Sequence, residues 1–372
     1  MNPKKLFIVS AVVLTVIVVS LIIYNFFIKP RSAPANNQPA ASKTEIVTGS
    51  VFNLSQEPVI SPVIDSGSDR IKYYRASDGR VFSVSFEGKD KKTISDNVLT
   101  GFIKALWNKD TSKVIGLFSD PATKTKVKKY FYDYKAKQST LLNENTAWVS
   151  WDPEGKKIVY EFLGKDSDNN ISVADPDGTK WKNIFPTRLP DWQASWVTKN
   201  KISLASPPSG TVQGLVYTLN PDTTDFSKVL SDYFGLKPLW SPSGDKVLFS
   251  ATQAQGKNLT LFISDDKGAN KKELALATLV DKCVWSVNNN SAFCAVPKTI
   301  NQGAVWPDDY YKGTVSTKDD FYEINFATGQ QIKLFESTDT QFYDASSLLV
   351  SDDNKYLFFV NQYDSQLYGI KL

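Results

Sequence analysis

The chain has 372 residues, of which 22% are charged and 13% aromatic, and its formal net charge is +4. This is a globular composition with the aromatic excess of a β-protein, and the small charge argues against a nucleic-acid-binding surface, which must be strongly basic. Histidine is absent, which excludes Ser-His-Asp and Cys-His catalytic groups and histidine-ligated metal sites. The sequence therefore predicts a protein that is not an enzyme, with no cofactor, no metal site and no nucleic-acid partner.

Residues 6–28 form an uncharged apolar run of 23 positions. A helix of that length spans the hydrocarbon core of a bilayer, which is about 30 Å thick. A cleaved signal peptide would have a shorter apolar region that ends in a small-residue cleavage site, whereas this run ends in NFFIKPR. The pattern predicts an uncleaved, single-pass signal anchor in the cell membrane, preceded by a cytoplasmic stub at 1–5.

The charges that flank this run leave its orientation open. Lys4 and Lys5 lie on one side, and Lys29 and Arg31 lie on the other, so the positive-inside bias is small. We favour a cytoplasmic amino terminus, because a short positive start before a long apolar run is typical of a signal anchor. Residues 29–44 are rich in Pro, Ala, Asn and Ser and predict a flexible linker to a body outside the cytoplasm.

A short pattern recurs beyond the linker: an apolar strand that ends in a large residue, a polar turn, and a second apolar strand. It occurs as VSWDPEGKKIVYEF at 149–162, LWSPSGDKVLFSA at 239–251 and LVSDDNKYLFFV at 349–360. If the last residue of each first strand is taken as a marker, the markers lie 43 to 45 residues apart, except for a last interval of 65. The markers are Ile64, Trp107, Trp151, Trp196, Trp240, Trp285 and Val350.

Each repeat has room for four short strands joined by Asp, Asn and Gly turns. Four strands every 44 residues or so are the signature of one blade of a β-propeller. The sequence thus predicts an all-β fold over 45–372, a seven-bladed β-propeller with six blades as the alternative, preceded by the transmembrane helix. The marker tryptophans are expected in the core between blades, with each indole N–H bound to a backbone carbonyl.

Two repeats, WSPSGDKVLFSATQAQGKNLTLFISDDKGANKKEL (240–274) and WDPEGKKIVYEFLGKDSDNNISVADPDGTKWKNI (151–184), resemble the WD-type repeats of TolB-like propellers. The shared pattern is W-S-P-D-G-x-x-I, followed by a strand that ends in D-x-x-G. The resemblance covers most of 45–372, and it implies a scaffold or receptor with a role in organising the cell envelope. The TolB propeller itself has six blades, which leaves the blade count of this chain open.

The two ends of the repeat region predict how the ring closes. Only two strands follow Val350, in YLFFVNQ and QLYGIKL. The segment EIVTGSVFNLS at 45–55 precedes the first repeat and is expected to supply the missing outer strand. A ring closed by strands from both termini has no open edge.

Cys283 and Cys294 are the only cysteines of the chain. Counted around the hairpin turn between them, they lie directly opposite each other on neighbouring strands, within reach of a disulfide. A bond between them fits a location outside the cytoplasm. The alternative is a pair of small buried thiols in a core strand.

The long last interval reflects an insertion at 298–318, KTINQGAVWPDDYYKGTVSTK. In a propeller this loop opens on the same face as the links between blades, and long loops are often functional. Aromatic residues beside carboxylates suit recognition of a protein or a sugar, although the insertion could equally pack on itself as a small core. The candidate binding residues are Trp306, Asp308, Asp309, Tyr310 and Tyr311 of the insertion, and Trp192, Tyr233, Phe342 and Tyr343 of the links.

These observations predict a membrane-anchored, extracytoplasmic β-propeller that acts as a protein-binding or scaffold module of the cell envelope. Its expected partners are one or more envelope proteins. The alternative is a carbohydrate-binding protein, or a glycan hydrolase or lyase that depends on carboxylates such as Asp308 and Asp309, in which case the ligand is a glycan.

Overall fold

The computed structural model describes residues 45–46, 49–120, 123 and 126–372. The predicted stub, membrane anchor and linker, 1–44, lie outside the described residues. Within the described part of the chain, no helix is long and apolar enough to cross a membrane.

The described residues are mostly β-structure, in 28 strands. Two strands precede the repeats, β1 (Glu45–Ile46) and β2 (Val51–Asn53). The next twelve are β3 (Val59–Ile64), β4 (Arg70–Arg75), β5 (Val81–Ser85), β6 (Lys92–Ser95), β7 (Phe102–Trp107), β8 (Lys113–Ser119), β9 (Val127–Asp133), β10 (Gln138–Leu141), β11 (Thr146–Trp151), β12 (Ile158–Phe162), β13 (Asn169–Ala174) and β14 (Lys182–Thr187).

The remaining strands are β15 (Gln193–Thr198), β16 (Lys201–Ala205), β17 (Gln213–Leu219), β18 (Phe226–Trp240), β19 (Lys246–Gln253), β20 (Lys257–Asp265), β21 (Lys272–Glu273), β22 (Cys283–Trp285), β23 (Ser291–Pro297), β24 (Asp319–Asn325), β25 (Gln331–Phe335), β26 (Ala345–Val350), β27 (Tyr356–Asn361) and β28 (Leu367–Lys371). Among the described residues there is one short α-helix, α1 (Asp308–Tyr311). The short 3₁₀ turns are Lys165–Ser167, Ala254–Gly256 and Val280–Lys282.

The strands form sheets in the order of the chain. Three four-stranded antiparallel sheets contain β3–β6, β7–β10 and β11–β14, and we call them the first, second and third sheets. A seven-stranded sheet contains β15–β21, because the 15-residue strand β18 pairs with β17 through its first part and with β19 through its second part. Strands β22–β25 and β26–β28 form the last two sheets.

The amino-terminal segment divides between these last two sheets. Strand β2 pairs antiparallel with β28, with Val51 opposite Ile370, and makes the last sheet four-stranded. Strand β1 pairs parallel with β25, with Glu45 opposite Ile332, and adds a fifth strand to the neighbouring sheet. The segment expected as one outer strand therefore pairs with two sheets.

Three of the five marker tryptophans, Trp107, Trp151 and Trp285, bond the preceding strand group as predicted. The prediction is wrong for Trp196 and Trp240, whose buried indole N–H groups make no hydrogen bond within the described residues. The indole N–H of Trp107 donates to the carbonyl oxygen of Ser61 at 3.0 Å, and that of Trp285 donates to Leu239 at 3.1 Å. Ser61 lies in β3, the first strand of the preceding sheet, and Leu239 lies in the second part of β18, which precedes β22 in the same way. The apolar core lies between sheets in the same way, and the contacts of Ile71 with Phe358 and Leu367 join the first sheet to the last.

Candidate binding face and channel

The first strands of the repeats surround a central channel. These strands are β3, β7, β11, β15, the second part of β18, β22 and β26. One cavity of about 670 Å³ lies among β3, β7, β11 and β26. A second, of about 630 Å³, lies among β15, β18 and β22 and is also bordered by Trp148 and Leu348.

The two ends of the channel differ in the segments that surround them. Because the sheets are antiparallel, the links into the first strands emerge at the same end as the loops between second and third strands. We call this end the loop face; its described segments are 54–58, 76–80, 96–101, 142–145, 163–168, 188–192, 206–212, 231–236, 254–256, 274–282, 298–318, 336–344 and 362–366. The opposite end is the turn face, made of 65–69, 86–91, 108–112, 134–137, 152–157, 175–181, 199–200, 220–225, 241–245, 266–271, 286–290, 326–330 and 351–355.

Exposed large apolar side chains are concentrated at the loop face. Of the thirteen among the described residues, five lie on this face, namely Val98, Leu189, Val212, Tyr311 and Tyr363, and two more, Ile103 and Trp148, lie on strands that line the channel. Two, Trp181 and Val287, lie on the turn face, and the other four are on strands. Exposed apolar surface favours interaction with a partner, so the loop face, which has more such side chains, is the better candidate.

The insertion at 298–318 contains a small core of its own. Trp306 is 2% exposed and Tyr310 is 8% exposed, and both pack against Leu259 and Leu279. The indole N–H of Trp306 donates to the carbonyl oxygen of Asn301 at 3.1 Å. Two of the predicted binding aromatics thus stabilise the insertion, as in the alternative that the sequence left open.

The two aspartates of the insertion also have partners within the chain. Asp308 accepts hydrogen bonds from the hydroxyl of Ser209 at 3.0 Å and from the backbone N–H of Gly210 at 2.6 Å. Asp309 accepts a hydrogen bond from the backbone N–H of Val305 at 2.8 Å. Asp308 therefore fastens the insertion to a neighbouring loop.

Beneath the insertion lies a buried charged network that the sequence did not indicate. The ammonium of Lys282 is 2.7 Å from Asp319 Oδ2 and 2.7 Å from Asp344 Oδ1. The Tyr310 hydroxyl donates to Asp344 Oδ1 at 2.8 Å, and the backbone N–H of Thr317 donates to Asp344 Oδ2 at 3.0 Å. Burial raises the pKa of Asp319 although Lys282 opposes the shift. The network fixes the insertion onto the sheets below it.

Tyr311 is the one residue of the predicted set in the insertion that is strongly exposed, at 44%. Its hydroxyl donates to Asp281 Oδ2 at 2.5 Å, and the ammonium of Lys237 lies 2.5 Å from Asp281 Oδ1 and 5.0 Å from the Tyr311 ring centroid. Lys237 also lines the channel. These three residues form a polar rim where the channel meets the loop face.

The predicted aromatics of the links lie in separate places. Trp192 is buried, and its indole N–H donates to Thr187 Oγ1 at 3.1 Å. Tyr343 is buried, and Tyr233 is half-buried against Phe249. Half-buried Phe342 makes an edge contact with exposed Tyr363 and lies 4.2 Å from the Lys318 ammonium. The structure does not bring the predicted residues together in one site.

The two cysteines form a disulfide. Cys283 of β22 lies opposite Cys294 of β23 in the register, and the two sulfurs are bonded. Both residues are buried in a cluster with Leu248, Leu261 and Ala292.

Glu161 of β12 is a buried acidic residue outside the Lys282 network, and no sequence motif marks it. Its side chain is 0% exposed, and its carboxylate oxygens make no hydrogen bond of standard geometry. Burial raises the pKa of this carboxyl to about 7, and the backbone N–H groups of Trp192 and Asp191 offset the effect only in part. Glu161 thus titrates near neutral pH.

Comparison with known proteins identifies the fold. Neither a protein-family model nor a curated protein matches this sequence. An oligogalacturonate lyase in complex with manganese superposes with a TM-score of 0.63 at 10% identity, covering 89% of this chain and 95% of the lyase. Oligogalacturonate lyase from Vibrio parahaemolyticus gives 0.61 at 8% identity, with 87% and 97% covered.

The β-propeller domain of the Trilobed protease from Pyrococcus furiosus gives a TM-score of 0.55 at 9% identity, covering 84% of this chain and 95% of that domain. The fold is a β-propeller. TolB structures also match, at TM-scores of 0.45 and 0.42. That similarity is too low to separate TolB from other propellers, so the TolB-like assignment stays a prediction.

The comparisons correct the prediction that this chain is not an enzyme. Oligogalacturonate lyase is an enzyme, and its propeller matches this one over nearly the whole length of both chains. An enzyme thus has this fold, so the prediction of a protein that is not an enzyme is wrong as an inference from composition alone. At 8–10% identity the similarity shows the fold alone.

One of the two lyase structures contains manganese, which raises the question of whether this propeller could hold the same metal. The sequence has no histidine, and the described residues contain no group of three or more Cys, Asp or Glu side chains placed to hold a metal ion. The residues present do not fit a manganese centre.

Proposed function

We propose that this chain is a seven-bladed, TolB-like propeller of the cell envelope that binds a partner protein on its loop face. In this proposal residues 6–28 anchor the chain in the membrane, and the propeller lies outside the cytoplasm. Seven blades follow if the seven-stranded sheet holds two blades joined by β18, since Phe234 of that strand pairs with Gln213 on one side and Thr252 on the other.

The distribution of exposed apolar side chains carries the proposal. The loop face holds five such residues, whereas the turn face holds two. Removing apolar surface from water stabilises a complex by roughly 25 cal/mol per Å², so this face gains most from being covered. The insertion gives the loop face a fixed structure, because Trp306, Asp308 and Tyr310 pack on or hydrogen-bond to neighbouring parts of the propeller.

The disulfide supports the location outside the cytoplasm. Disulfides form and persist in oxidising compartments and are rare in the cytosol. The Cys283–Cys294 bond is therefore expected in a propeller that faces the cell exterior or the periplasm.

Crosslinking in membranes tests the proposed partner surface. The full chain would be compared with a loop-face variant, Leu189→Asp with Val212→Asp, and with a turn-face control, Val287→Asp; all three positions are at least 48% exposed. We expect one protein to crosslink to the wild type and the control but not to the loop-face variant. Equal crosslinking to all three, with unchanged thermal unfolding, would refute a partner on the loop face.

A second candidate function is binding or cleavage of an acidic glycan in the channel. Trp148 is 45% exposed there, and Lys104 and Lys237 line the same channel. An exposed indole and two ammonium groups suit a sugar ring that carries carboxylates. Oligogalacturonate is the probe: binding, or the ultraviolet absorbance of an unsaturated product, should fall in Trp148→Ala and persist in Trp181→Ala.

A further inference from the structure

A groove lies along the face of the third sheet that packs toward the second sheet, and it is bordered by the link between the two sheets. It encloses a cavity of about 460 Å³, which falls within the range of ligand pockets of roughly 300–1,000 Å³. Its apolar surface is formed by Leu142 of the link and by Ile158, Tyr160 and Phe162, which share one face of β12. The groove is distinct from the channel and from the loop-face surface of the proposed function.

Trp181 stands at the edge of this groove, directly before β14. It is 63% exposed, the most exposed aromatic side chain among the large apolar residues that the structure describes as exposed. A single exposed apolar residue needs no explanation. The surroundings of Trp181 need an explanation, because several amide side chains line the same groove.

Three asparagines line the groove, and each keeps hydrogen-bonding capacity for a ligand. The Ser172 hydroxyl donates to Asn183 Oδ1 at 2.8 Å, which orients that side chain and leaves its NH₂ group as a donor. Asn170 donates through Nδ2 to the carbonyl oxygen of Asp168 at 3.2 Å, which leaves its Oδ1 as an acceptor. Asn143 accepts a hydrogen bond from the backbone N–H of Asn145 at 2.9 Å and keeps its NH₂ group.

The charges of the groove balance. Lys165 and Asp168 both line it, at the loop between β12 and β13. A strongly acidic or basic ligand would find no matching field, so the chemistry of the lining favours a neutral molecule. A neutral sugar presents C–H groups on its ring face and hydroxyl groups on its edge, which match an indole and a row of amides.

The equivalent groove between the first and second sheets shows that this lining is not a general property of the repeat. That groove encloses about 380 Å³. Six aromatic side chains line it: Tyr74, Phe102, Phe118, Tyr130, Tyr132 and Tyr134. One asparagine, Asn97, lines that groove, compared with three beside Trp181.

We propose that the groove beside Trp181 binds a neutral carbohydrate whose pyranose rings carry acetamido groups. One ring stacks on Trp181, Asn170 and Asn183 bond its hydroxyl and amide groups, and the acetamido methyl packs against Leu142 and Phe162. The proposal goes beyond the partner surface of the proposed function.

Titration calorimetry with the tetrasaccharide of β-1,4-linked N-acetylglucosamine tests this site, with the full chain in detergent. We expect saturable binding that is at least tenfold weaker in Trp181→Ala and in Asn183→Ala. Trp148→Ala, which removes the exposed indole of the channel, is the matched control and should bind as the wild type does. Thermal unfolding reports whether each variant is folded; Trp181→Ala should be unaffected because the side chain is exposed.

Three results would overturn the proposal. The first is no saturable binding by the wild type. The second is binding that survives Trp181→Ala but is lost in Trp148→Ala, which would place the sugar in the channel and favour the second candidate function. The third is tighter binding of oligogalacturonate than of the acetamido sugar. None of these results bears on the crosslinked partner of the loop face. Each of the two proposals can therefore be refuted without refuting the other.

Discussion

The indole N–H of Trp151 donates to the carbonyl oxygen of Leu106 at 2.8 Å, across the boundary between the third and second sheets. The corresponding indole N–H of Trp196 is buried and makes no hydrogen bond within the described structure. The two tryptophans are both sequence markers, yet only one of them ties its sheet to the preceding one through a hydrogen bond.

This difference gives a first prediction. Trp151→Phe should lower the free energy of unfolding more than Trp196→Phe, by about 1 kcal/mol, because only the first change removes a hydrogen bond. Urea unfolding of the two variants and the wild type measures it. Equal losses would mean that the hydrogen bond contributes nothing beyond ring packing.

The buried network of Lys282 gives a second prediction. Lys282→Met should destabilise the protein by about 3–5 kcal/mol at neutral pH, since it leaves the carboxylates of Asp319 and Asp344 buried without their cation. The loss should shrink at acid pH, because the pKa of Asp319 is raised by burial and its acid form needs no cation. Urea unfolding at both pH values measures the effect.

Lys355→Met is the matched control for this change. Lys355 pairs with Asp353 at 2.8 Å, but its side chain is 68% exposed, and exposed ion pairs contribute about 0–1 kcal/mol. If the two lysine variants lose similar stability, the buried pair does not hold the insertion in place.

Glu161 gives a third prediction. Its pKa is raised by burial to about 7 from an ordinary value of 4.5, so the folded state binds this proton more tightly than the unfolded state. Stability from this group is complete below pH 4.5 and is lost as the pH rises through 7, by at most about 3 kcal/mol. Glu161→Gln should therefore stabilise the protein at pH 8 and have little effect at pH 4.

Unfolding of Glu161→Gln and the wild type in urea at the two pH values checks the sign. Glu154→Gln is the control, because that side chain is exposed on the turn face. A stabilisation by Glu161→Gln that is equal at pH 4 and pH 8 would point to packing rather than charge.

The disulfide gives a fourth prediction. Replacement of both Cys283 and Cys294 by Ala should lower the stability by about 2–3 kcal/mol, because the bond closes a short loop of the unfolded chain. Reduction of the wild type should have a similar effect, and the double variant should not respond to the reductant. Peptide mapping without reductant would show the bonded pair; two free thiols in protein purified without reductant would contradict it.

The repeat was readable in the sequence because each first strand ends in a large residue that fills the space between sheets. The spacings of 44 and 45 residues between Trp107, Trp151 and Trp196 reflect one sheet per repeat, and polar turns mark where the chain reverses. A sequence period of this kind predicts the β-propeller fold directly. It does not reveal that β18 runs on into a second group of strands, since that depends on pairing with β17 and β19 together.

The candidate site was harder to predict for a physical reason. The pattern WPDDYY suits an exposed binding loop and a small core equally well, and the choice is made by Leu259 and Leu279, which come from other segments and cover Trp306. Lys282 and Glu161 carry no motif either. Their burial follows from how neighbouring sheets pack, which one strand does not encode.

The entry of the chain through β1 and β2 has a mechanical consequence. A pull on the amino terminus would act first on the two-residue pairing of β1 with β25, and only after its rupture on the pairing of β2 with β28. The weak outer contact would yield while the final sheet stayed intact. If the proposed anchor at 6–28 transmits tension, the pairing of β1 with β25 would break before the ring opens.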